Sequence, residues 1–321
     1  MSAGDLQVRI ARKVDEAIDI VSLELVSVGD RPLPAFSAGS HIDMHLPNGL
    51  IRQYSLCNDS NETHRYLIGV LRDPGSRGGS QSLHEAVNEG DVLHISAPKN
   101  HFPLAHEAKH SVLVAGGIGV TPILCMVERL AVTGASVEMH YCTRSPERTA
   151  FRDRISTSPF ADKVQFHFDD GDAAQKLDLA KLLATEIPGV HLYVCGPKSF
   201  MDWLLNAARK AGWPAEQLHC EFFGAEVVKS GEDASFEVKL ASSGKVVPIP
   251  KDQTVVQALA AAGIEVLTSC EQGVCGTCLT RVLEGEPDHR DMYLTPEEQA
   301  ANDQFMPCCS RSKSQLLVLD L

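Results

Sequence analysis

The 321-residue sequence has no apolar run approaching the roughly 18 to 20 residues that a membrane-spanning helix needs. Its opening stretch, MSAGDLQVRIARKVDEA, lacks the apolar core of a secretory signal, so a cytoplasmic enzyme without membrane attachment is the expectation. Positive charge is scarce as well. With 29 Lys and Arg against 42 Asp and Glu, the formal net charge is −13. Neutralising nucleic-acid phosphates requires a basic face, which argues against a nucleic-acid partner but leaves a basic protein partner open. Internal repeats and low-complexity segments are also missing.

What remains is an ordinary globular composition, 44% hydrophobic and 22% charged, in a chain longer than one core usually organises. From Val8 to about Pro103, short strand-like segments such as Ile42–Leu46, Tyr66–Leu71 and Val92–Ala97 are separated by Gly, Pro and Asn turns. That pattern predicts a small antiparallel barrel over residues 1–106. The period then changes. Val112–Ala115, Val137–Cys142, Val164–Phe168, His191–Cys195 and Leu218–Phe222 alternate with helical stretches at Pro122–Ala131, Leu177–Ala184 and Ser199–Ala211. Strand alternating with helix predicts a parallel-sheet α/β domain over 107–226. A polar linker is expected at 227–234. Beyond it, over 235–321, a hairpin at Ser235–Ala241 and Lys245–Ile249 and a short helix at Thr254–Ala262 open a third domain.

Ten cysteines without an export signal stay reduced in the cytosol, so their spacing matters more than their number. Cys270, Cys275 and Cys278 are spaced C-x4-C-x2-C, and Cys308 follows Cys278 after 29 intervening residues. This is the plant-type [2Fe–2S] arrangement. Gly273 and Gly276 let the backbone wrap the cluster closely, and Thr277 can add a hydroxyl donor. Structural zinc, the inorganic competitor, favours two close C-x2-C pairs, and only one exists here. Of the adjacent Cys308 and Cys309, only one can point inwards. The flanking Phe305-Met306-Pro307 and Ser310-Arg311 favour Cys308, leaving Cys309 as a packed bystander.

Two nucleotide-binding patterns precede this cluster. Val112-Leu-Val-Ala runs into Gly116-Gly117-Ile118-Gly119-Val120-Thr121-Pro122 and then a helix, a context that suits a pyrophosphate at a helix N-terminus. The spacing is not G-x-G-x-x-G, so an ordinary dehydrogenase is a poorer match. Cys195-Gly196-Pro197 ends a later strand, where Cys195 can border a nicotinamide or simply close the strand as a buried thiol. In the barrel region, Arg52-Gln53-Tyr54-Ser55 and Arg77-Gly78-Gly79-Ser80 offer a cation for a phosphate, an aromatic to cover a flavin and a hydroxyl for its N5. Asp169 and Asp170, after the third parallel strand, either disfavour a 2′-phosphate or form a solvated strand end. His289, within Pro287-Asp288-His289-Arg290-Asp291, is expected on a surface turn fixed by local hydrogen bonds rather than as a ligand or proton relay.

Taken together, R52-Q-Y-S-L-C-N-D, R77-G-G-S, H101-F-P-L, A115-G-G-I-G-V-T-P-I, Y193-V-C-G-P, F222-F-G, C270-E-Q-G-V-C-G-T-C, G285-E-P-D-H-R-D and L317-V-L-D-L make the chain resemble the phthalate dioxygenase reductase family along nearly its whole length. The ferredoxin segment looks most similar to the vanillate O-demethylase branch. The resemblance implies a Greek-key FMN-binding barrel, an NADH domain and a β-grasp ferredoxin domain, in that order. It places Arg52, Gln53, Tyr54, Ser55, Arg77, Gly78, Gly79 and Ser80 around FMN. Gly116, Gly117, Gly119, Thr121, Cys195, Gly196 and Pro197 fall around NADH. Phe223 matches an aromatic near the flavin or nicotinamide, and Ser55, Thr121, Cys195 and Phe223 are the residues expected at the reacting atoms.

Nicotinamide gives up two electrons as a hydride while an iron–sulfur centre accepts one at a time, and a flavin can do both. The implied route is NADH to FMN to the [2Fe–2S] cluster and outwards. A plant-type cluster near −400 mV can reduce a Rieske centre at about −150 mV or above. The chain itself holds no Rieske C-x-H and C-x2-H pair and no evident 2-His-1-carboxylate set, so the oxygen chemistry belongs to a separate Rieske oxygenase, acting on an aromatic acid. A monomer is expected from the family. Alternatives remain: a flavin or ferric reductase serving free acceptors, the reductase of a quaternary-amine monooxygenase, or a passive electron carrier. The last leaves two nucleotide sites unused.

Overall fold

A computed structural model describes residues 6–29, 31–76, 78–184, 188–223 and 233–321. Arg77 and all of the expected linker except Asp233 and Ala234 lie outside the described residues. The chain divides into two compact units, Met1–Glu221 and Phe222–Leu321. Among the described residues no helix is long and apolar enough to cross a membrane.

The first unit opens with β1 (Leu6–Ala17), β2 (Ile20–Ser27), β3 (Ser40–His45), β4 (Ile51–Ser55), β5 (Tyr66–Leu71), α1 (Gly79–Glu85), β6 (Val92–Ile95) and β7 (Lys99–Asn100). The sheet order is β4-β3-β6-β1-β2-β5, with β7 on β3. An antiparallel bridge between Leu56 and Ile68 joins the two ends of this path, closing a barrel and removing its open edges. Alternation decides which face turns inwards. Val8 and Ile10 of β1 are wholly buried, and they pack with Leu23, Leu25, Ile42, Met44 and Ile68.

The same unit continues with β8 (His110–Gly116), α2 (Val120–Thr133), β9 (Val137–Thr143), α3 (Arg152–Ser156), β10 (Val164–Phe168), α4 (Leu179–Leu183), β11 (Val190–Cys195), α5 (Lys198–Lys210) and β12 (Leu218–Glu221). The strands are parallel in the order β10-β9-β8-β11-β12. β11 is buried along its whole length, as a central strand covered on both faces must be. Strand order reverses between β8 and β11. Parallel sheets leave a crevice at the carboxyl ends of strands flanking such a reversal, and the glycine turn and Cys195-Gly196-Pro197 both lie there. Ile20, Cys57 and Phe102 of the barrel segment enter the core of this sheet beside Leu113, Ile123 and Tyr193.

The second unit contains β13 (Phe236–Leu240), β14 (Val246–Ile249), α6 (Val255–Ala261), β15 (Thr280–Glu284), β16 (Pro287–Asp288), α7 (Pro296–Ala301), β17 (Gln304–Phe305), β18 (Arg311–Ser312) and β19 (Leu316–Leu319). Its main sheet runs β14-β13-β19-β15-β17. The C-terminal strand is therefore central, and Leu317 and Leu319 pack beneath α6 with Val238, Ile249 and Leu259. α6 begins with a reciprocal capping box between Thr254 and Gln257, and α7 with one between Thr295 and Glu298.

Candidate functional site

In the first unit, β4 presents Arg52 at its start and Ser55 at its end. The Arg52 side chain lies against Gly79, with Cγ 2.8 Å from the position a β-carbon would occupy. The barrel thereby brings a guanidinium to the first turn of α1, a cradle of charge and free amides that suits a phosphate. Ser80 Oγ accepts from the Asp73 amide at 3.2 Å. At the other end of α1, Lys13 Nζ donates to the carbonyls of Leu83, His84 and Val87 at 3.0, 2.7 and 2.7 Å, which fixes the helix from behind. Gln53 donates to Asp43 Oδ1 at 2.8 Å and lies 3.2 Å from His41 Nε2, on the strand face opposite Arg52 and Tyr54. Tyr54 packs on the barrel core.

Ser55 Oγ donates to Glu221 Oε2 at 3.0 Å. Glu221 ends β12, and its backbone carbonyl accepts the Cys195 thiol at 3.4 Å. Serine, carboxyl and thiol thus meet where three strands end. Burial pushes the Glu221 carboxyl up to about 7, with the Ser55 hydrogen bond acting in the opposite direction. Cys195 is wholly buried, and burial raises its thiol well above the ordinary value, so it is a neutral wall of the site. Glu221 was not among the sequence candidates. A lone acid at a strand end carries no spacing signal, and its partner is 166 positions away.

The glycine turn approaches this wall closely. A β-carbon on Gly119 would stand 2.2 Å from the Cys195 carbonyl oxygen, so only glycine lets β8 and β11 end side by side. Thr121 is buried, and its hydroxyl donates to the Ile118 carbonyl at 3.1 Å, holding the turn. Gly116 and Gly196 are in backbone contact, and the Phe200 ring covers Gly116. Gly117 adopts φ 53° with open space at its α-carbon, and Pro197 is exposed. Asp169 and Asp170 are exposed, their amides donating to the Thr143 and Arg144 carbonyls at 3.0 and 3.1 Å, on the same carboxyl edge of the sheet. Phe223 is 40% exposed and belongs to the second unit.

In the second unit the four thiols form two pairs. Cys270 hydrogen-bonds Cys275, and Cys278 hydrogen-bonds Cys308. The hydrogen bond from Cys270 lowers the Cys275 thiol, and those from Cys278 and Cys309 lower Cys308, each below the ordinary thiol value. All four side chains are buried. Among the described residues no three His, Cys, Asp or Glu side chains converge on one metal-sized point. Two pairs of thiols, one pair per iron, is the donor set a [2Fe–2S] cluster takes, so the residues fit that group. The Gln272 amide already donates to Cys270 Sγ at 3.3 Å, and the Thr277 hydroxyl stands 3.3 Å from Cys275 Sγ. Cys309 Sγ, besides its hydrogen bond to Cys308, lies 2.4 Å from where a Gly273 β-carbon would sit. At φ 70° and in that contact, Gly273 admits no side chain.

His289 departs from expectation. Its side chain is buried, 3.6 Å from Asp291, and neither ring nitrogen has a hydrogen bond. The turn is held locally as expected, with Arg290 Nε donating to Asp288 Oδ2 at 2.8 Å. What takes the imidazole inwards is the pairing of β16 with β18 and the packing of Asp291 against Gly273 and Ser310.

Comparison with known proteins accords with these features. Residues 238–313 match the family described as 2Fe-2S iron-sulfur cluster binding domain, and residues 96–218 match dimethylamine monooxygenase subunit DmmA-like, N-terminal domain. The vanillate O-demethylase oxidoreductase of Pseudomonas putida is 56% identical over 313 residues, 97% of this chain and 98% of that protein. The phthalate dioxygenase reductase of Burkholderia cepacia is 42% identical over 319 residues, 99% and 98% of the two chains. A solved phthalate dioxygenase reductase, described as a modular structure for electron transfer from pyridine nucleotides to [2Fe-2S], superposes with a TM-score of 0.81 over 99% of this chain and 98% of that one, at 42% identity.

Proposed function

This chain belongs to the phthalate dioxygenase reductase family, and from that premise we propose that it is the reductase of a two-component Rieske oxygenase. It carries electrons from NADH through FMN to its own [2Fe–2S] cluster and on to a separate oxygenase. The observation that carries this reading is the pairing of the four thiols, Cys270 with Cys275 and Cys278 with Cys308, in a chain whose first unit holds a phosphate cradle and a strand-end crevice. We assign those four cysteines as the cluster ligands.

FMN, when bound, supplies the conversion between a two-electron hydride and single electrons. Arg52, Gly79 and Ser80 would hold its phosphate, and Tyr54 and Ser55 would stand at its ring. Ser55 positions its hydroxyl under the control of Glu221: a protonated carboxyl releases the serine proton for donation elsewhere, and an ionised one captures it. Gly117, with open space at its α-carbon, and the exposed Pro197 would leave room for NADH at the crevice, Gly116, Gly119 and Gly196 let the two strand ends close up beside it, Cys195 would exclude water behind it, and Thr121 keeps the turn in shape. Asp169 and Asp170 disfavour a 2′-phosphate and so NADPH. Ten free cysteines suit the reducing cytoplasm.

The partner acts on an O-methylated aromatic acid. Supporting this is the higher identity to the vanillate O-demethylase oxidoreductase, 56%, than to the phthalate dioxygenase reductase, 42%. The test is oxygen uptake with a purified vanillate O-demethylase oxygenase component and a panel of aromatic acids and quaternary amines. Uptake coupled to NADH oxidation with a methoxylated acid is expected. Uptake with a quaternary-amine oxygenase alone, or turnover of ferric chelates faster than of any Rieske protein, would refute the assignment.

A further inference from the structure

Resting on that reading, we propose that Leu267, Leu279, Met292 and Tyr293 form an apolar collar around the cluster loop on which the oxygenase docks, and that the oxygenase patch facing it is apolar at its centre and basic at its rim. These four side chains are 82%, 38%, 37% and 42% exposed. Single exposed hydrophobics need no explanation, but three of these four are fixed to the loop that holds the thiols. The Tyr293 ring lies on Gly276, between Cys275 and Cys278, so closely that a β-carbon there would meet it at 2.4 Å. The Met292 amide donates to the Gly273 carbonyl, and the Leu279 amide to the Gly276 carbonyl, each at 3.0 Å. Leu267 stands three residues before Cys270.

The thiols themselves are buried, so an electron leaves the cluster through the side chains around its loop, and Tyr293, Met292 and Leu279 are held against that loop. Aromatic and Met side chains at the centre with charge confined to the edge is the composition of a protein interface. The segment around the loop is predominantly acidic, its one exposed arginine, Arg281, standing against the exposed Glu265, Glu284, Glu286, Glu297 and Glu298. Between Glu265 and Glu298 there are eight acidic residues and two arginines. Arg290 is committed to Asp233 and Asp288, while Glu265 and Glu297 are exposed. Such a rim attracts a basic partner and repels an acidic one.

The competing occupant of the collar is the flavin-bearing unit of the same chain, and kinetics separate the two. The double variants Leu267→Ser/Met292→Ser and Glu265→Lys/Glu297→Lys are compared with the wild type as holoproteins that retain the cluster spectrum. Two quantities are read: the anaerobic rate at which NADH reduces the protein's own cluster, and KM for a purified vanillate O-demethylase oxygenase component in oxygen uptake. Each double variant is expected to raise KM about tenfold, equivalent to roughly 1.4 kcal/mol, with internal cluster reduction unchanged within about twofold. The lysine pair should also flatten the salt dependence of KM. An active wild type with KM unmoved in both variants would overturn the docking surface, as would a parallel slowing of internal reduction. A wild type that reduces its own cluster but not the oxygenase would overturn both the partner assignment and the collar that rests on it.

Discussion

In the first unit, Arg52, Ser55, Cys195 and Glu221 stand at strand ends, and Gly79 and Ser80 in the first turn of a helix. In the second, all four cluster thiols lie on segments with neither strand nor helix. The first construction gathers groups far apart in sequence by means of regular elements that would fold without them. The second draws most of its groups from a nine-residue stretch, Cys270 to Cys278, whose path is fixed by contacts to Gly273 and Gly276 and by the metal it is built to take. Substitutions in the first unit should therefore weaken one interaction at a time, and substitutions in the second should act all or none.

The largest effect should come from exchanging neighbours in the second unit. Cys308→Ser is expected to abolish bound iron and the cluster's visible spectrum, whereas Cys309→Ser, whose sulfur faces Gly273, should keep both. Iron analysis checks this, and equal loss in the two variants would erase the distinction between ligand and bystander. In the first unit the expected losses are graded. Arg52→Ala removes one charge-assisted contact worth about 1.5 to 3 kcal/mol, and so should weaken FMN binding by roughly 10- to 100-fold, measured by fluorescence titration of apoprotein.

Glu221→Gln sharpens the contrast through pH. Because burial holds the Glu221 carboxyl near 7, the ionised form captures the Ser55 hydroxyl above that pH, and NADH-driven flavin reduction should slow as pH rises through about 7. The glutamine variant should lack this limb in stopped-flow profiles. Stability follows the same sign. The folded state binds more protons than the unfolded chain between the ordinary value of 4.5 and about 7, so stability declines with rising pH across that window. The smallest effect is expected for Lys13→Met. It frees three carbonyls at the end of α1 and should cost about 1 kcal/mol, read as a melting temperature a few degrees lower, with the cluster spectrum intact.

Legibility in the sequence followed the same division. Three of the four cysteines assigned to the cluster stand out in the sequence as C-x4-C-x2-C, because groups on one loop keep their spacing in the chain, whereas Cys308 had to be added from its flanking residues. The barrel and the parallel sheet could be read from periodicity, since β8 and β11 are continuous apolar runs and β1 alternates. Glu221 could not be read, because its role exists only where β12 ends beside Ser55. Nor could the burial of His289, which follows from the pairing of β16 with β18 and from Asp291 packing on Gly273. Tyr293 on Gly276 was equally hidden: nothing in the sequence links an aromatic to a glycine 17 positions earlier until the loop closes.

The most direct test of the electron route is anaerobic stopped-flow mixing of NADH with the wild-type holoprotein and the FMN-loaded Cys275→Ser variant, followed at flavin and cluster wavelengths and then with oxygenase added. The expected result is flavin bleaching at the wild-type rate in Cys275→Ser, with no cluster signal and no reduction of the oxygenase. Oxygenase reduction at the wild-type rate by a variant without its cluster would contradict the route.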